Sequence, residues 1–376
     1  MGMKMARPYD AQFMKMALTL AERGLGRVAP NPAVGCVVVR DDGDGPRVVG
    51  RGWTQPGGRP HAETEALARA GALARGATVY VSLEPCSHHG KTGPCAEALI
   101  KAGVARVVGA IADPNPAVAG RGFAALEANG IEVTENVCAA DAHHLNEGFF
   151  LTMSEKRPLV TLKIASSLDG YIATHEGHSQ WITGDRARER GHLLRATHDA
   201  IMVGSATAIV DDPELTCRLP GLGDRSPIRI IADGRLRLPL TSKLVRDASK
   251  TPVWILTLPG GDGQRRKAFE DCGVTLIEVE AGEGGIMNMR AALEQIAARG
   301  VTRLLVEGGS RLAASLVLSR LVDRIEWFRA PKLIGGDGYP AVSALGVKKL
   351  DGAPAFDLRE TVALGEDSLS SYVIRN

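Results

Sequence analysis

Apolar and polar positions along the first part of the chain switch repeatedly between a helical and a strand period. Met14, Ala17, Leu18 and Ala21 recur at helical spacing behind Asp10, a residue suited to capping, and Val34–Val39 is then dense in β-branched residues. Arg47–Trp53 reads as the return strand of a hairpin whose turn is the acidic, glycine-rich segment Asp41–Gly45. The pattern further predicts a helix from His61 to about Arg75, a strand at Thr78–Ser82, a helix at Pro94–Ala102, and a strand at Arg106–Ile111. A last helix at Gly122–Asn129 and strand at Ile131–Val133 close the series. Such alternation predicts an α/β sandwich, a sheet with helices on both faces.

The periodicity lapses between Phe150 and Pro158 in a polar stretch that ends at a proline, which cannot continue a helix. A boundary there gives domains at 1–150 and 158–376 with a linker at 151–157. The second part alternates again. Strands are predicted at Leu159–Ala165, Ala200–Gly204, Ile228–Ala232, Val253–Thr257, Val274–Val279, Arg303–Val306 and through Ile325–Phe328. Helices are predicted at Asp185–Ala196, Met289–Arg299 and Ser310–Leu321.

Length and composition agree with two domains. The chain has 376 residues, of which 44% are hydrophobic and 23% charged, so it lacks the polar bias of a disordered chain. Its apolar runs are far shorter than the roughly 18 residues that span a bilayer, and no secretory signal pattern opens it; neither a membrane nor export is expected. Charge is balanced in each half, 15 basic against 15 acidic residues up to position 150 and 30 against 28 beyond, which argues against a nucleic-acid partner. The six cysteines are too few and too scattered for a disulfide framework. A cytoplasmic protein is the expectation.

Cys86 and Cys95 form the one cysteine cluster, and His61-Ala-Glu63 precedes it by 25 residues at the start of a predicted helix. One imidazole and two thiolates give zinc three protein ligands and leave a fourth position for water, as a catalytic site requires. Glu63, two residues past the histidine, stands where a proton shuttle would act on that water. The order matches the zinc-deaminase signature, with eight residues rather than two between the cysteines.

With Pro30-Asn-Pro-Ala-Val-Gly-Cys-Val37, Ser82-Leu-Glu-Pro-Cys86, the insert up to Cys95 and Asp113-Pro-Asn-Pro116, the first part resembles the deaminase half of the bifunctional deaminase–reductase family of riboflavin biosynthesis. The resemblance implies a cytidine-deaminase-like α/β/α sandwich that hydrolyses the exocyclic 2-amino group of a pyrimidine carrying a ribosylamino 5′-phosphate. It implies zinc on His61, Cys86 and Cys95, with Glu63 carrying protons to the leaving ammonia. Asn31 matches the asparagine that contacts the pyrimidine, and His88 and Lys91 match positions that meet the substrate phosphate.

The second part lacks the G-x-G-x-x-G fingerprint of common dinucleotide folds. Its most suggestive local feature is Leu304–Ser310, a strand running through Gly308 and Gly309 into a helix, a junction suited to an anion. The family resemblance continues through Lys163–Gly170, Ser179–Thr183, Leu194–Ala196, Gly204–Thr207, Asp211–Arg218, Val306–Gly309 and Ala330–Gly335. It implies a dihydrofolate-reductase-like α/β domain in which NADPH reduces the opened ribose to ribityl. By that resemblance Ala165, Trp181, Thr207, Asp211, Gly308 and Gly309 match cofactor positions, and Lys163, Ser179, Arg195, Leu215, Arg218 and Glu307 match substrate positions. A homodimer through the reductase domain is also implied. Arg235, Arg237 and Lys243 after Ala232-Asp-Gly234, candidates for a positive group near the adenosine ribose, read as surface charge.

Overall fold

The computed structural model describes residues 7–87, 93–115 and 119–375. They fall into two units, the first ending at Glu155 and the second starting at Lys156. The first contains α1 (Asp10–Ala21), β1 (Gly35–Arg40), β2 (Arg47–Trp53), α2 (Ala62–Ala70), β3 (Thr78–Val81), α3 (Cys95–Ala102), β4 (Arg106–Gly109), α4 (Arg121–Ala128), β5 (Glu132–Thr134) and α5 (Ala139–Ser154). Its sheet runs β2-β1-β3-β4-β5, antiparallel through β2, β1 and β3 and parallel onward. Alternate side chains of each strand point to opposite faces. Cys36, Val38, Val79 and Val81 therefore pack with Ala62 and Ala66 of α2, Leu99 of α3 and Phe123 of α4, while Val37, Val39 and Tyr80 pack with Met14 and Ala17 of α1 and Ala142 of α5.

Two local expectations change. Asp10 does not cap α1. Its buried carboxylate turns inward and takes two hydrogen bonds of 2.8 Å from Arg106, with a third of 3.0 Å from the Tyr80 hydroxyl, because a buried arginine needs a fixed partner more than the helix needs a cap. Residues 151–154, expected in the linker, continue α5 through Ser154; that helix escaped the periodicity because His143, His144, Asn146 and Glu147 interrupt its apolar stripe.

The second unit contains β6 (Leu159–Ser166), β7 (Tyr171–Ala173), α6 (Asp185–Ala196), β8 (Ala200–Gly204), α7 (Ser205–Asp211), β9 (Ile228–Ala232), α8 (Lys243–Arg246), β10 (Val253–Thr257), α9 (Gly263–Asp271), β11 (Thr275–Glu278), α10 (Met289–Ala297), β12 (Arg303–Glu307), α11 (Ser310–Leu318), β13 (Arg324–Arg329), β14 (Tyr339–Pro340), β15 (Phe356–Leu364) and β16 (Asp367–Ile374). Nine strands form one sheet in the order β11-β10-β9-β8-β12-β6-β13-β16-β15. From β11 to β13 the neighbours are parallel, so the carboxyl ends of β6, β12, β8 and β9 share one edge. The terminal β15–β16 hairpin is antiparallel. Val160, Leu162, Met202 and Leu304 meet α10 and α11 on one face, and Ile201, Val203, Ile231 and Leu305 meet α6 to α9 on the other. Among the described residues no helix is long and apolar enough to cross a membrane.

His198, just before β8, is buried; one ring nitrogen lies 2.7 Å from the Leu194 carbonyl and the other 3.0 Å from the Thr161 hydroxyl. Burial first, and the nearby Arg303 charge second, press it down to about 3. Since an unfolded histidine titrates near 6.5, the unfolded state binds the extra proton between these values. Stability of this unit is therefore expected to be fully present above pH 6.5 and to fall by about 1.4 kcal/mol per pH unit below it. Urea unfolding at pH 7 and 5 checks this, and His198→Gln should flatten the dependence.

Candidate active sites of the two units

The backbone of His61 is extended, so α2 starts immediately after it and places Glu63 in the first turn. Pro94 plays the same part before α3, which begins at Cys95. Cys86 follows β3 by a short turn. The chain thus brings together three donors from different elements: His61 Nδ1 lies 3.2 Å from Cys95 Sγ and 3.7 Å from Cys86 Sγ, and all three ligand atoms fall within 4.8 Å of one another. Ordinary zinc–sulfur and zinc–nitrogen bonds in a tetrahedron separate such donors by about 3.5–3.8 Å. The donor set and spacing fit zinc.

Glu63 is buried, and that burial pushes its carboxyl up to about 7, with the neighbouring Cys86 adding to the rise. Cys86 is drawn down to about 4, chiefly by a hydrogen bond from Cys95, whose own thiol is raised by the same contact. A carboxyl that exchanges protons near neutrality thus sits beside the Cys86 thiolate.

Asn31 is half-buried; its Nδ2 donates to the Val28 carbonyl at 3.2 Å, and its Oδ1 has no partner among the described residues. Behind it runs the turn Gln55–Pro60, where Gly58 has φ +85° and a Cβ would fall 2.0 Å from Asn31 Nδ2. Only glycine fits there, three residues before His61. The other expected positions of this site, His88 and Lys91, lie outside the described residues. Glu84 stands in the cysteine motif, and its buried carboxylate accepts backbone N–H groups of Asp113, Gly120 and Gly122 at 2.8–3.1 Å. A charge set between Leu83 and Pro85 at a strand end was the available signal.

In the second unit Lys163, Glu307 and Arg195 converge from β6, β12 and α6. Arg195 donates to both Glu307 oxygens at 2.7 and 2.9 Å and to the Thr216 carbonyl at 3.0 Å, while Lys163 Nζ stands 3.7 Å from Glu307. Burial alone would raise the Glu307 carboxyl, but Arg195 and Lys163 outweigh it and hold it at about 2. Ala165 follows Lys163 on the same face of β6. Gly308 and Gly309, with φ +83° and +87°, follow directly, and a Cβ on either would face Thr207 at 3.4–3.5 Å. That bare backbone beside a hydroxyl is a cradle fitted to the phosphates of a dinucleotide.

The remaining expected residues are more dispersed. Leu215 is buried in the core with φ +56°, so its backbone is what the site can use. Arg218 is exposed and pairs with Glu214 at 3.1 Å. Asp211 closes α7 at the surface, Ser179 is half-buried, and Trp181 is 63% exposed under the Arg188 guanidinium. Two supports were not foreseen. Lys332 donates to the carbonyls of Trp181 and Ile182 at 3.1 and 2.9 Å, and His192 Nδ1 accepts the Arg218 N–H at 3.3 Å. Neither contact leaves a trace in periodicity.

Residues 8–111 match the family model described as the cytidine and deoxycytidylate deaminase zinc-binding region, and residues 158–370 match the RibD C-terminal domain. The riboflavin biosynthesis protein RibD of Escherichia coli is 40% identical over 369 residues, covering 95% of this chain and 97% of that protein. The chain belongs to the RibD family. Solved RibD structures agree: that of Acinetobacter baumannii superposes with a TM-score of 0.87 at 37% identity over 98% of this chain and 99% of that one. The Thermotoga maritima protein, named a diaminohydroxyphosphoribosylaminopyrimidine deaminase and 5-amino-6-(5-phosphoribosylamino)uracil reductase, gives 0.83 at 34% identity over 97% and 99%. As a RibD the chain is a bifunctional enzyme of riboflavin biosynthesis, with a zinc-dependent deaminase domain and an NADPH-dependent reductase domain.

Proposed function

We propose that the first unit hydrolytically deaminates 2,5-diamino-6-(5-phosphoribosylamino)pyrimidin-4(3H)-one and that the second reduces the ribosyl group of its product to give 5-amino-6-(5-phosphoribitylamino)uracil. The observation that carries this reading is the His61, Cys86 and Cys95 donor set with Glu63 buried in the adjoining helical turn. His61, Cys86 and Cys95 hold zinc, whose Lewis acidity makes hydroxide available near neutral pH. Glu63 takes the proton of the attacking water and delivers it to the leaving amine. Asn31 presents its free Oδ1 to the pyrimidine edge, and His88 and Lys91 meet the phosphate.

In the second unit NADPH supplies the hydride. Gly308, Gly309, Thr207, Asp211, Trp181 and Ala165 hold the cofactor. Lys163, Ser179, Arg195, Leu215, Arg218 and Glu307 hold the ribose phosphate. Arg195 and Lys163 reach the substrate already oriented by Glu307, which lowers the ordering cost of binding. Mass spectrometry of the diaminopyrimidine ribosyl phosphate tests both steps. A gain of about one dalton without cofactor and about two more with NADPH is expected from exchange of an amine for oxygen followed by hydride and proton addition. No first shift refutes the deaminase substrate, and no second refutes the reductase.

Gly58→Ala is expected to weaken deamination by displacing Asn31 and by straining the turn at φ +85°. The added Cβ displaces the carboxamide, so KM for the diaminopyrimidine should rise at least about tenfold, as for loss of one buried hydrogen bond. Zinc content and NADPH-dependent reduction should be unchanged; steady-state kinetics and metal analysis check this.

A homodimer through the reductase domain belongs to this reading. Its support is β15, which ends the nine-stranded sheet with an edge unpaired among the described residues and exposes Leu358 and Val362. Sedimentation velocity should give twice the chain mass. Work in the cytoplasm is supported by cysteines that serve as metal donors and form no disulfide.

A further inference from the structure

We propose that Glu84 is a positioning residue for the metal site: its carboxylate caps α4 from a distance, fixes the turn that carries Cys86, and so sets how firmly zinc is held. This rests on reading His61, Cys86 and Cys95 as the zinc ligands. Glu84 is 3% exposed, and among the described residues no cation pairs with it. A buried carboxylate is costly unless its oxygens are hydrogen-bonded. Here backbone alone meets it. Oε2 accepts the N–H groups of Asp113 at 3.1 Å and Gly120 at 2.9 Å, and Oε1 accepts that of Gly122 at 2.8 Å.

Gly120 and Gly122 open α4. The helix has no side-chain cap of its own, because the residue in the capping position is Gly120, at φ +75°. The first N–H groups of a helix lack partners within it and carry the positive end of its dipole, so a carboxylate brought in from elsewhere satisfies both. Glu84 does so from 36 and 38 residues away. The approach is close. A Cβ on Gly122 would fall 2.0 Å from the Pro85 carbonyl oxygen, so glycine is what lets the start of α4 sit against the residue before Cys86.

Cys86 is thereby gripped from two sides. On one side the start of α3 donates to it, the Cys95 N–H to Sγ at 3.3 Å and the Ala96 N–H to its carbonyl at 3.2 Å. On the other, the Glu84 N–H donates to the Ile111 carbonyl at 3.0 Å while the Glu84 carboxylate holds Asp113 and the start of α4. Residues 84–86 are therefore bound to both ends of the segment 111–122. A single rotatable bond separates the Cys86 sulfur from its backbone, so its place beside His61 Nδ1 and Cys95 Sγ follows the place of the turn. Groups that orient metal ligands from behind are worth about 10- to 100-fold in metal affinity.

The test measures zinc affinity of the full chain by competition with a chromophoric chelator, in wild type, Glu84→Gln, Glu84→Asp and Ala124→Gly. Glutamine can accept at one end but turns N–H groups toward the donors at the other. Glu84→Gln should weaken zinc binding about 10- to 100-fold and alter the visible absorption of the cobalt(II)-loaded protein, which reports the tetrahedral geometry. Glu84→Asp keeps the charge one methylene short and should recover part of the affinity. Ala124 is exposed on α4, and glycine there weakens the helix without touching its cap. Ala124→Gly should therefore lower Tm yet leave zinc affinity within about twofold of wild type. Reduction of the already deaminated substrate by NADPH should be unchanged in all three. Zinc affinity in Glu84→Gln within about twofold of wild type, or an equal loss in Ala124→Gly, overturns the proposal. Should Glu84→Gln not fold, Glu84→Asp against Ala124→Gly decides by the same criterion. Wild-type protein that takes up no zinc would refute the ligand reading itself, and the proposal with it.

Discussion

Glu63→Gln is expected to slow deamination by about 10²- to 10⁴-fold, the range that a positioned acid–base group contributes. Glutamine keeps the volume and the place in the first turn of α2, where Glu63 is only 3% exposed, so packing around Ala62 and Ala66 should not change. The three metal donors come from other side chains, and zinc content should remain near one per chain. What is lost is a group able to take a proton and return it. Burial has already moved the carboxyl to about 7, where both protonation states are accessible at the working pH, and an amide has neither. Ammonia release measures the first step, and NADPH oxidation on the already deaminated substrate measures the second. A fall of less than tenfold in ammonia release would remove Glu63 from proton transfer. A matching fall in NADPH oxidation would show a general defect instead.

The contrast between the two sites shows what a sequence exposes. The metal site is legible because its chemistry is compressed into short segments: His61 and Glu63 flank the start of one helix, Cys95 opens another, and Cys86 follows a strand by a short turn. Strand alternation was equally readable, since Val37 and Val38 must face opposite sides of a buried sheet. What escaped depends on contacts distant along the chain. Asp10 looked like a cap and is instead the partner of Arg106, 96 residues away. Lys332 steadies the Trp181 carbonyl across 151 residues, and Glu84 gathers backbone from 113–122. The β15–β16 hairpin is hidden because Glu360 and the register shift beside it interrupt the apolar alternation Phe356, Leu358, Val362, Leu364, and β15 is exposed along nearly its whole length.

Glu307→Gln should have the largest effect on the second unit, on activity and stability together. One carboxylate there serves two cations, with Arg195 on both oxygens and Lys163 beside one. An amide can still accept at one position but must turn N–H groups toward Arg195 Nη2 and Lys163, leaving like-directed donors and two poorly compensated charges. Breaking such a pair in a largely buried setting costs about 3–5 kcal/mol. For a unit of this size that corresponds to a Tm lower by about 6–20 °C. The pH dependence separates this cause from general damage. The Glu307 carboxyl is held at about 2 against an ordinary value of 4.5, so its contribution is complete above pH 4.5 and is lost as pH falls toward 2. Wild type and variant should therefore differ fully at pH 7 and converge below pH 4. Reduction should drop at least about a hundredfold even where the variant is folded, because Arg195 and Lys163 no longer meet the substrate oriented. Ammonia release by the first unit, which contains neither cation, should persist. A variant as stable as wild type at pH 7 would mean that Arg195 and Lys163 are held by other groups and that Glu307 does not organise this site.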